Sequence, residues 1–301
     1  MVRCCDNPSH YAPLLGMRCN EAMYFSLNST LVAGRVPWPE FAQLAGRVGY
    51  LGVDVALDPA MESGFAATRS LLDSAKVRPA IINFPVEFRK DEAEFRASLP
   101  KLEEAAPFAA AIGCRQMMTW IMSSSETPKD ELRRIYKKRF TEAANILARS
   151  HVRLALEFLG PLHIRTRFPH EFIWRMGDML DFARECGPNV GLLLDVWHWH
   201  HAGGTTADIL KAGKERIVHV HFNDSARLPP EDIRDNERLM PGEGVIALEG
   251  ALKALQTIGY SDALSVEVFG RHLKEMSPEE GARLGLDSAR AVLRKAGMRE
   301  S

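Results

Sequence analysis

The chain has 301 residues, of which 46% are hydrophobic and 26% are charged, and its formal net charge is −1. A chain of this length buries a sizeable core, while a near-neutral charge gives no electrostatic footprint for nucleic acid or for an anionic membrane surface. No window offers the roughly eighteen consecutive apolar residues that a membrane span requires. We therefore expect a globular protein that acts on a small neutral or mixed-charge molecule, with no nucleic-acid or membrane partner.

The cysteines do not form the pattern of a disulfide framework or of a thiolate zinc site. They are odd in number and include no Cys-x-x-Cys pair, being Cys4, Cys5, Cys19, Cys114 and Cys186. A reducing, cytoplasmic location is the simplest expectation.

Residues 1–21 are expected to form a leader before the first strand. They lack a long apolar core and contain Asp6, Asn7 and Pro8, so they resemble neither a secretory signal nor a membrane anchor. No linker-like run of Gly, Ser or Pro follows. Residues 22–301 are therefore predicted to form a single domain.

From residue 22 onward, short apolar runs alternate with longer segments of helical periodicity. Strands are predicted at residues 23–28, 52–56, 78–84, 114–121, 153–159, 192–197, 217–223 and 264–269. Helices are predicted at residues 39–48, 64–75, 91–112, 128–148, 170–185, 206–212, 248–258 and 278–296. Eight βα units indicate an α/β fold of the (β/α)8 TIM-barrel type. A doubly wound open sheet is the alternative, but its dinucleotide-binding form is disfavoured because no G-x-G-x-x-G follows the first strand.

Each of the last four predicted strands ends in a residue suited to a divalent metal. These residues are Glu157, Asp195, His221 and Glu267. In a barrel, the inward-facing side chains of neighbouring strands converge at the carboxyl-terminal mouth. Three carboxylates and one imidazole would form an oxygen-rich site for one divalent ion, namely Mn, Mg, Co or a catalytic Zn.

Two of these residues also have a simpler structural interpretation. Asp195 considered alone is equally well explained as the cap of a following helix, and the matching residues on neighbouring strands favour the metal. His219 and His221 lie two residues apart and point to the same face of the strand, but His221 is nearer the carboxyl end. We therefore assign His221 to the metal and His219 to a deeper layer, and we expect His200 and His201 to be loop residues.

The motifs around these residues resemble a known family. They are LEFLG with Glu157, DVWHWH with Asp195, HVHFNDS with His221, PGEG at residues 241–244 and SVEVF with Glu267. Together they resemble the xylose isomerase-like TIM barrels of the sugar phosphate isomerase/epimerase family, and within it the inosose (2-keto-myo-inositol) isomerases. The resemblance spans the barrel and is densest over residues 154–270.

The resemblance implies roles for individual residues. It makes Glu157, Asp195, His221 and Glu267 the ligands of one divalent metal ion. By analogy with the ketose epimerases, Glu157 and Glu267 also act as bases on opposite faces of the substrate, and the substrate contacts are His198 and Arg227. Arg227 lies in the long polar connection of residues 224–244, which is expected to cover a site. Arg234 and Arg238 compete with it for the same role.

One position departs from the epimerase pattern. His163 stands where the epimerases carry a second substrate-contacting glutamate, which weakens the ketohexose epimerase interpretation and leaves His163 as a candidate substrate contact. Trp120, at the tip of the fourth predicted strand, is expected either to line the pocket or to pack in the core.

The resulting hypothesis is a metal-dependent isomerase or epimerase that acts on a small polyhydroxy ketone through an enediolate. A dehydratase of the inosose or dehydroshikimate type, on the same scaffold, is the alternative. An endonuclease-like phosphodiesterase would bind several zinc ions through additional histidines at the second and third strand tips. These two strand tips carry no histidine, so this function is disfavoured. A non-catalytic sugar-binding barrel is disfavoured by the four metal-type residues. The expected partners are the ketone substrate and, at most, a second copy of the chain in a homodimer.

Overall fold

The computed structural model describes residues 22–300, which form one closed barrel of eight parallel strands. The strands are β1 (Tyr24–Leu27), β2 (Gly52–Val55), β3 (Arg78–Asn83), β4 (Gln116–Ile121), β5 (Arg153–Phe158), β6 (Val190–Asp195), β7 (Ile217–Phe222) and β8 (Ala263–Val266). Each strand pairs with its neighbours in chain order, and β8 closes the ring against β1. The predicted TIM barrel is therefore confirmed, whereas the predicted leader lies outside the described residues.

The helices that follow the strands surround the barrel. They are α1 (Glu40–Val48), α2 (Leu57–Ser63), α3 (Phe65–Ala75), α4 (Glu92–Ile112), α5 (Lys129–Ala148), α6 (Leu162–Arg165), α7 (Met176–Cys186), α8 (Val196–His201), α9 (Thr206–Ala212), α10 (Leu248–Thr257) and α11 (Pro278–Lys295), with a 3₁₀ turn at Ser29–Val32. Within residues 22–300, none of the helices has the length and apolar character needed to cross a membrane.

Capping residues in the sequence account for several helix ends. The Asp91 side chain accepts the Glu94 N–H at 2.9 Å where α4 begins. Gly113 ends α4 in the left-handed region at φ 87°, which glycine adopts without steric cost. Ser277 and Glu280 form a reciprocal capping box at the start of α11.

The structure corrects several predicted boundaries. The strand predicted at residues 192–197 ends at Asp195, and His200 and His201 belong to α8 rather than to a loop. A helix begins there because the Asp195 carboxylate accepts the Trp197 N–H at 2.8 Å. The last strand ends at Val266, so that Glu267 directly follows it.

Two predicted helices also differ from the observed ones. Of the helix predicted at residues 170–185, His170–Glu171 instead pair with Ser124–Ser125 as a short antiparallel ribbon, because the pairing satisfies their backbone groups, and α7 begins at Met176. Residues 57–63, for which the sequence predicts no element, form α2.

The barrel interior below the mouth is apolar. Met118, Ala155 and Leu193 each lie two residues before Trp120, Glu157 and Asp195 on their strands, and so point to the same side of the sheet. They pack with Ile81 and Val218 into one buried cluster. This cluster forms a rigid floor below the side chains at the mouth.

Candidate active site

The four strand-tip residues predicted as metal ligands meet at the carboxyl end of the barrel. One ligand atom from each of Glu157, Asp195, His221 and Glu267 lies within 4.8 Å of the others. From Nδ1 of His221, the nearest carboxylate oxygens lie at 3.6 Å in Glu157, 3.7 Å in Asp195 and 3.2 Å in Glu267. Residues that are up to 110 positions apart in sequence thus surround one point.

The residues present fit a divalent cation. Oε1 of Glu157 and Nδ1 of His221 are buried and have no hydrogen-bond partner among the described residues. Buried polar atoms in native proteins are nearly always paired, so two unpaired atoms that face each other across one point indicate a missing partner. Three carboxylates and one imidazole are a donor set that first-row divalent metals and magnesium accept.

A buried arginine from the loop after β7 also enters this cluster. Nη1 of Arg238 donates to Oδ2 of Asp195 at 2.7 Å and to Oε2 of Glu267 at 2.8 Å. Its Nε and Nη2 donate to Oδ1 of Asp235 at 3.0 and 2.8 Å. Only 2% of the Arg238 side chain is exposed. The site therefore has a cation of its own beside two of the carboxylates.

The carboxylates and the two cationic groups shift the pKa values of the cluster. Burial raises the pKa of Glu157 to about 8, against the opposing effect of His221. Burial alone would also raise the pKa of Asp195, but Arg238 and His221 hold it well below its usual value. Burial would lower the pKa of His221, and the surrounding carboxylates, Glu267 first, raise it well above its usual value. The negative field of the cluster thus dominates and favours a bound cation.

The cluster opens into a cavity of about 690 Å³, within the range of small-molecule sites. Three of the four predicted substrate contacts line it: His198, His163 and Trp120. His198 is 1% exposed, whereas Trp120 is 39% exposed and therefore lines the cavity rather than packing in the core. Apolar side chains from the barrel mouth, among them Trp38 and Phe269, complete the wall.

Residues 34–293 match the family model described as the xylose isomerase-like TIM barrel. The chain belongs to this family.

Relatives of known name or structure agree with this assignment. The chain is 28% identical over 222 residues to an inosose isomerase of Halalkalibacterium halodurans, a match that covers 73% of this chain and 76% of the relative. A xylose isomerase domain protein of Alicyclobacillus acidocaldarius has 28% identity and a TM-score of 0.84, covering 92% of this chain and 100% of that chain. The IolI protein, whose crystal structure holds a zinc atom, has 22% identity and a TM-score of 0.78 over 91% and 99% of the two chains.

Within this xylose isomerase-like barrel, Arg227 lies away from the metal-type residues. Its side chain is exposed and lines a separate cavity beside His200 and His201. Arg234 also stays outside the cluster, because its guanidinium donates to the backbone carbonyls of Glu231 and Ile233 at 2.6 and 2.8 Å. Of the three arginines in the loop, Arg238 is the one that reaches the site.

The carboxylate of Asp224 determines the path of that loop. It accepts the backbone N–H groups of Ser225, Gly242, Gly244 and Ile246 at 2.8 to 3.0 Å. The backbones of Asp224 and Leu239 are also joined by two hydrogen bonds of 2.9 Å. Since Leu239 directly follows Arg238, this anchor brings the arginine over the barrel mouth.

His198 is positioned by the close approach of α8 to the end of β5. A Cβ atom at Gly160 would overlap the backbone carbonyl oxygen of His198, so only glycine allows this approach. The Gly160 N–H donates to Nδ1 of His198 at 3.4 Å, and Nε2 of His198 lies 3.2 Å from Nη2 of Arg238. Burial lowers the pKa of His198.

Asp195 fits both the interpretation as a helix cap and the interpretation as a metal-type residue. Its carboxylate caps α8 and also faces the cluster.

Two acidic residues that are not among the predicted site residues also line the cavity, Asp54 and Asp235. Asp54 lies near the carboxyl end of β2, in the same type of position as the other strand-tip acids, so strand parity alone could have identified it. Asp235 lies in the loop after β7, where no periodic pattern predicts the direction of a side chain.

Proposed function

We propose that the chain is a metal-dependent isomerase or epimerase of a small polyhydroxy ketone, with an inosose as the substrate class. The observation that carries the proposal is the convergence of Glu157, Asp195, His221 and Glu267, with unpaired buried atoms facing one point. The inosose isomerase name of the relative from Halalkalibacterium halodurans supports the substrate class.

The four converging residues would hold one divalent cation. When bound, such an ion supplies positive charge that stabilises negative charge developing on a ketone oxygen and on the neighbouring hydroxyl oxygen. The Arg238 guanidinium adds a fixed positive charge on the same side of the cavity, where it holds the carboxylates of Asp195 and Glu267 in place.

Glu157 and Glu267 are the proposed proton carriers. They project from β5 and from the end of β8, on either side of the Asp195 and His221 strands, and so flank the cavity. One carboxylate removes the proton from the carbon next to the ketone; the electron pair of that C–H bond forms the enediolate double bond, and the carbonyl π pair moves to its oxygen. Return of a proton to the former carbonyl carbon gives the isomeric ketone, provided that the hydroxyl of the first carbon passes its proton to the former carbonyl oxygen and becomes the new C=O. Return of a proton to the opposite face of the first carbon re-forms the original carbonyl group and gives the epimer.

The remaining lining residues would bind and orient the substrate. Nδ1 of His163 is buried without a partner among the described residues and is available to a substrate hydroxyl. Trp120 offers an apolar face, held by the Arg89 guanidinium 4.1 Å above its ring. We assign the role of the arginine at the reacting end of the substrate to Arg238 rather than to Arg227.

Incubation of the purified protein with 2-keto-myo-inositol and Mn²⁺ in D₂O tests the proposal. The expected product is an isomeric ketone that has gained deuterium at the carbon receiving the proton, detected by mass spectrometry and NMR. A product that has lost one water molecule would instead indicate the dehydratase. Recovery of unlabelled substrate with every divalent metal tested would refute an enediolate enzyme for this substrate.

Glu267→Gln separates the chemistry from the fold. The variant keeps the shape of the side chain but cannot carry the proton, so turnover is expected to fall by about 10²- to 10⁴-fold with an unchanged circular dichroism spectrum. Glu275→Gln is the matched control, since Glu275 is exposed and pairs with His272 on the surface. Wild-type turnover in Glu267→Gln would remove this residue from the mechanism.

A further inference from the structure

A second cavity, of about 420 Å³, lies at the same end of the barrel as the candidate active site. Three segments line it, which are α6 with the turn before it, α8 with the turn after it, and the loop after β7. It shares no lining residue with the active-site cavity. Its size is within the range of small-molecule sites.

The three segments that line the second cavity also supply side chains to the candidate active site. Each segment directs one residue to the active-site cavity and another to the second cavity. In that order, the pairs are His163 and Arg165 in α6, His198 and His201 in α8, and Arg238 and Arg227 in the loop. A ligand in the second cavity would therefore contact every segment that positions these active-site residues.

Two arginines, Arg165 and Arg227, give the second cavity a positive charge, and none of its lining residues is acidic. Nε of Arg165 is buried and has no hydrogen-bond partner among the described residues. The carbon atom of its guanidinium lies 3.9 Å from the centroid of the Trp174 ring, which holds the group in place. Arginine stays protonated in proteins, so both charges are available to an anion.

The other arginines of the loop after β7 already have partners inside the protein. Arg234 donates to two backbone carbonyls, and Arg238 donates to the carboxylates of Asp195 and Glu267. Arg227 is exposed and forms no ion pair within residues 22–300. The loop thus leaves one guanidinium available to a ligand of the second cavity.

The rest of the wall of the second cavity is largely apolar. Leu162 and Leu228, which are 36% and 45% exposed, are two of the five large hydrophobic side chains that are exposed in the described part of the chain. Pro161, Pro230 and Ile233 extend this surface. Exposed apolar side chains grouped at one concave site indicate a binding surface. Together with two guanidinium groups, they fit an organic anion with an apolar body better than a bare phosphate or a neutral polyol.

We propose that the second cavity is a binding site for a small organic anion, namely a carboxylate that carries a short hydrocarbon chain, and that its occupancy affects the active site. The carboxylate would bind the guanidinium groups of Arg165 and Arg227 through charge-assisted hydrogen bonds. The hydrocarbon chain would pack on Leu162 and Leu228 and remove them from water.

The effect on the active site follows from the shared segments. A ligand in the second cavity restrains α6, α8 and the loop, so that His163, His198 and Arg238 lose less conformational freedom when the substrate binds. Binding of the anion should therefore favour binding of the substrate. This effect rests on the proposed function, whereas the anion site itself does not.

Isothermal titration calorimetry of the full-length, Mn²⁺-loaded protein with hexanoate as the probe tests the site. We expect a Kd of about 1 mM or lower. Acetate should bind at least about tenfold more weakly, since each buried methylene group strengthens binding by about fourfold. 1-Hexanol has the same chain without the charge and should also bind at least about tenfold more weakly. Equal binding of 1-hexanol, or no saturable binding of hexanoate at millimolar concentrations, would overturn the proposal.

Variants of exposed residues locate the bound hexanoate. Arg227→Met should weaken its binding by about tenfold or more, because a charge-assisted hydrogen bond is lost, and Leu228→Asp should abolish binding by placing a negative charge in the cavity. Arg167→Met is the matched control, since Arg167 is also exposed but lines the active-site cavity. An unchanged Kd in folded Arg227→Met, or an equal loss in Arg167→Met, would place the anion elsewhere and overturn the assignment.

Steady-state kinetics with 2-keto-myo-inositol tests the effect on the active site. Saturating hexanoate should lower the KM of the wild type by about twofold or more and leave that of Arg227→Met unchanged. An unchanged KM in a wild type that binds hexanoate would overturn the coupling, and a raised KM in both proteins would show competition at the active site instead. If the wild type turns over no ketone, the proposed function fails while calorimetry still decides the anion site.

Discussion

Arg238→Met should destabilise the protein far more than the loss of an ordinary surface arginine. The guanidinium contacts two carboxylates, at 2.7 Å in Asp195 and 2.8 Å in Glu267, and only 2% of its side chain is exposed. Removal leaves the fully buried Asp195 carboxylate without the cation to which it is hydrogen-bonded. Breaking a buried pair in this way costs about 3–5 kcal/mol. Methionine keeps the apolar part of the side chain packed, so the loss reports mainly on the charge.

The matched control is Arg283→Met. Arg283 pairs with Glu279 across one turn of α11, and the two side chains are 54% and 55% exposed. An exposed helical pair contributes only about 0.3–0.5 kcal/mol, because water and salt screen it. The two variants therefore remove the same chemical group from opposite environments.

Urea unfolding followed by tryptophan fluorescence, with EDTA present, gives the free energy of unfolding of each variant. The difference between the two variants should be at least about 2 kcal/mol, and saturating Mn²⁺ should reduce it because a bound cation neutralises the same carboxylates. Equal losses below about 1 kcal/mol would refute the argument, since Arg238 would then contribute no more than a surface charge.

Three further results are expected. Gly160→Ala places a methyl group against the His198 backbone and should cost about 1–3 kcal/mol in thermal unfolding and raise KM, whereas Gly177→Ala, where a Cβ meets nothing within 4 Å, should be tolerated. Asp224→Asn puts an NH₂ group in place of one acceptor oxygen and should cost about 3 kcal/mol in urea unfolding and lower kcat/KM, because Arg238 loses its anchor; unchanged stability would contradict the anchoring role. Chelation by EDTA should abolish turnover and lower the melting temperature, both being restored by one equivalent of divalent metal, and a chelated protein that stays active would exclude a metal site.

The barrel and its mouth could be predicted because the relevant signals are local. A buried parallel strand is a continuous apolar run, and strand parity decides which side chain faces inward at its end. Glu157, Asp195 and Glu267 each follow from their own strand together with one rule of barrel topology. The convergence of these three side chains follows from their strands and from the barrel topology alone.

The arginine that reaches the site could not be chosen from the sequence. Arg227, Arg234 and Arg238 lie in one aperiodic loop, and which of them enters depends on the four backbone N–H groups that Asp224 accepts from the end of the loop. Those contacts exist only after the chain has folded back on itself. The resemblance to the ketose epimerases therefore implies Arg227, whereas the anchor selects Arg238.

The end of β6 shows tertiary structure overriding local propensity. The residues after Asp195 are Val and Trp, which favour strands, yet they form α8. The Asp195 cap starts the helix, and the missing side chain of Gly160 provides the space for it.

The hydrogen-bonded bridge between Asp224 and Leu239 separates the loop after β7 into two parts that differ in how far their sequence and length can be changed. The exposed residues 227–232 form a loop whose two ends are held by the bridge and by the segment that carries Asp235 and Arg238. Loop-closure entropy rises only slowly with length, so this segment can be lengthened or exchanged at small cost in stability. It is the natural position for grafting new recognition elements beside the cavity while leaving the barrel and its catalytic end unaltered.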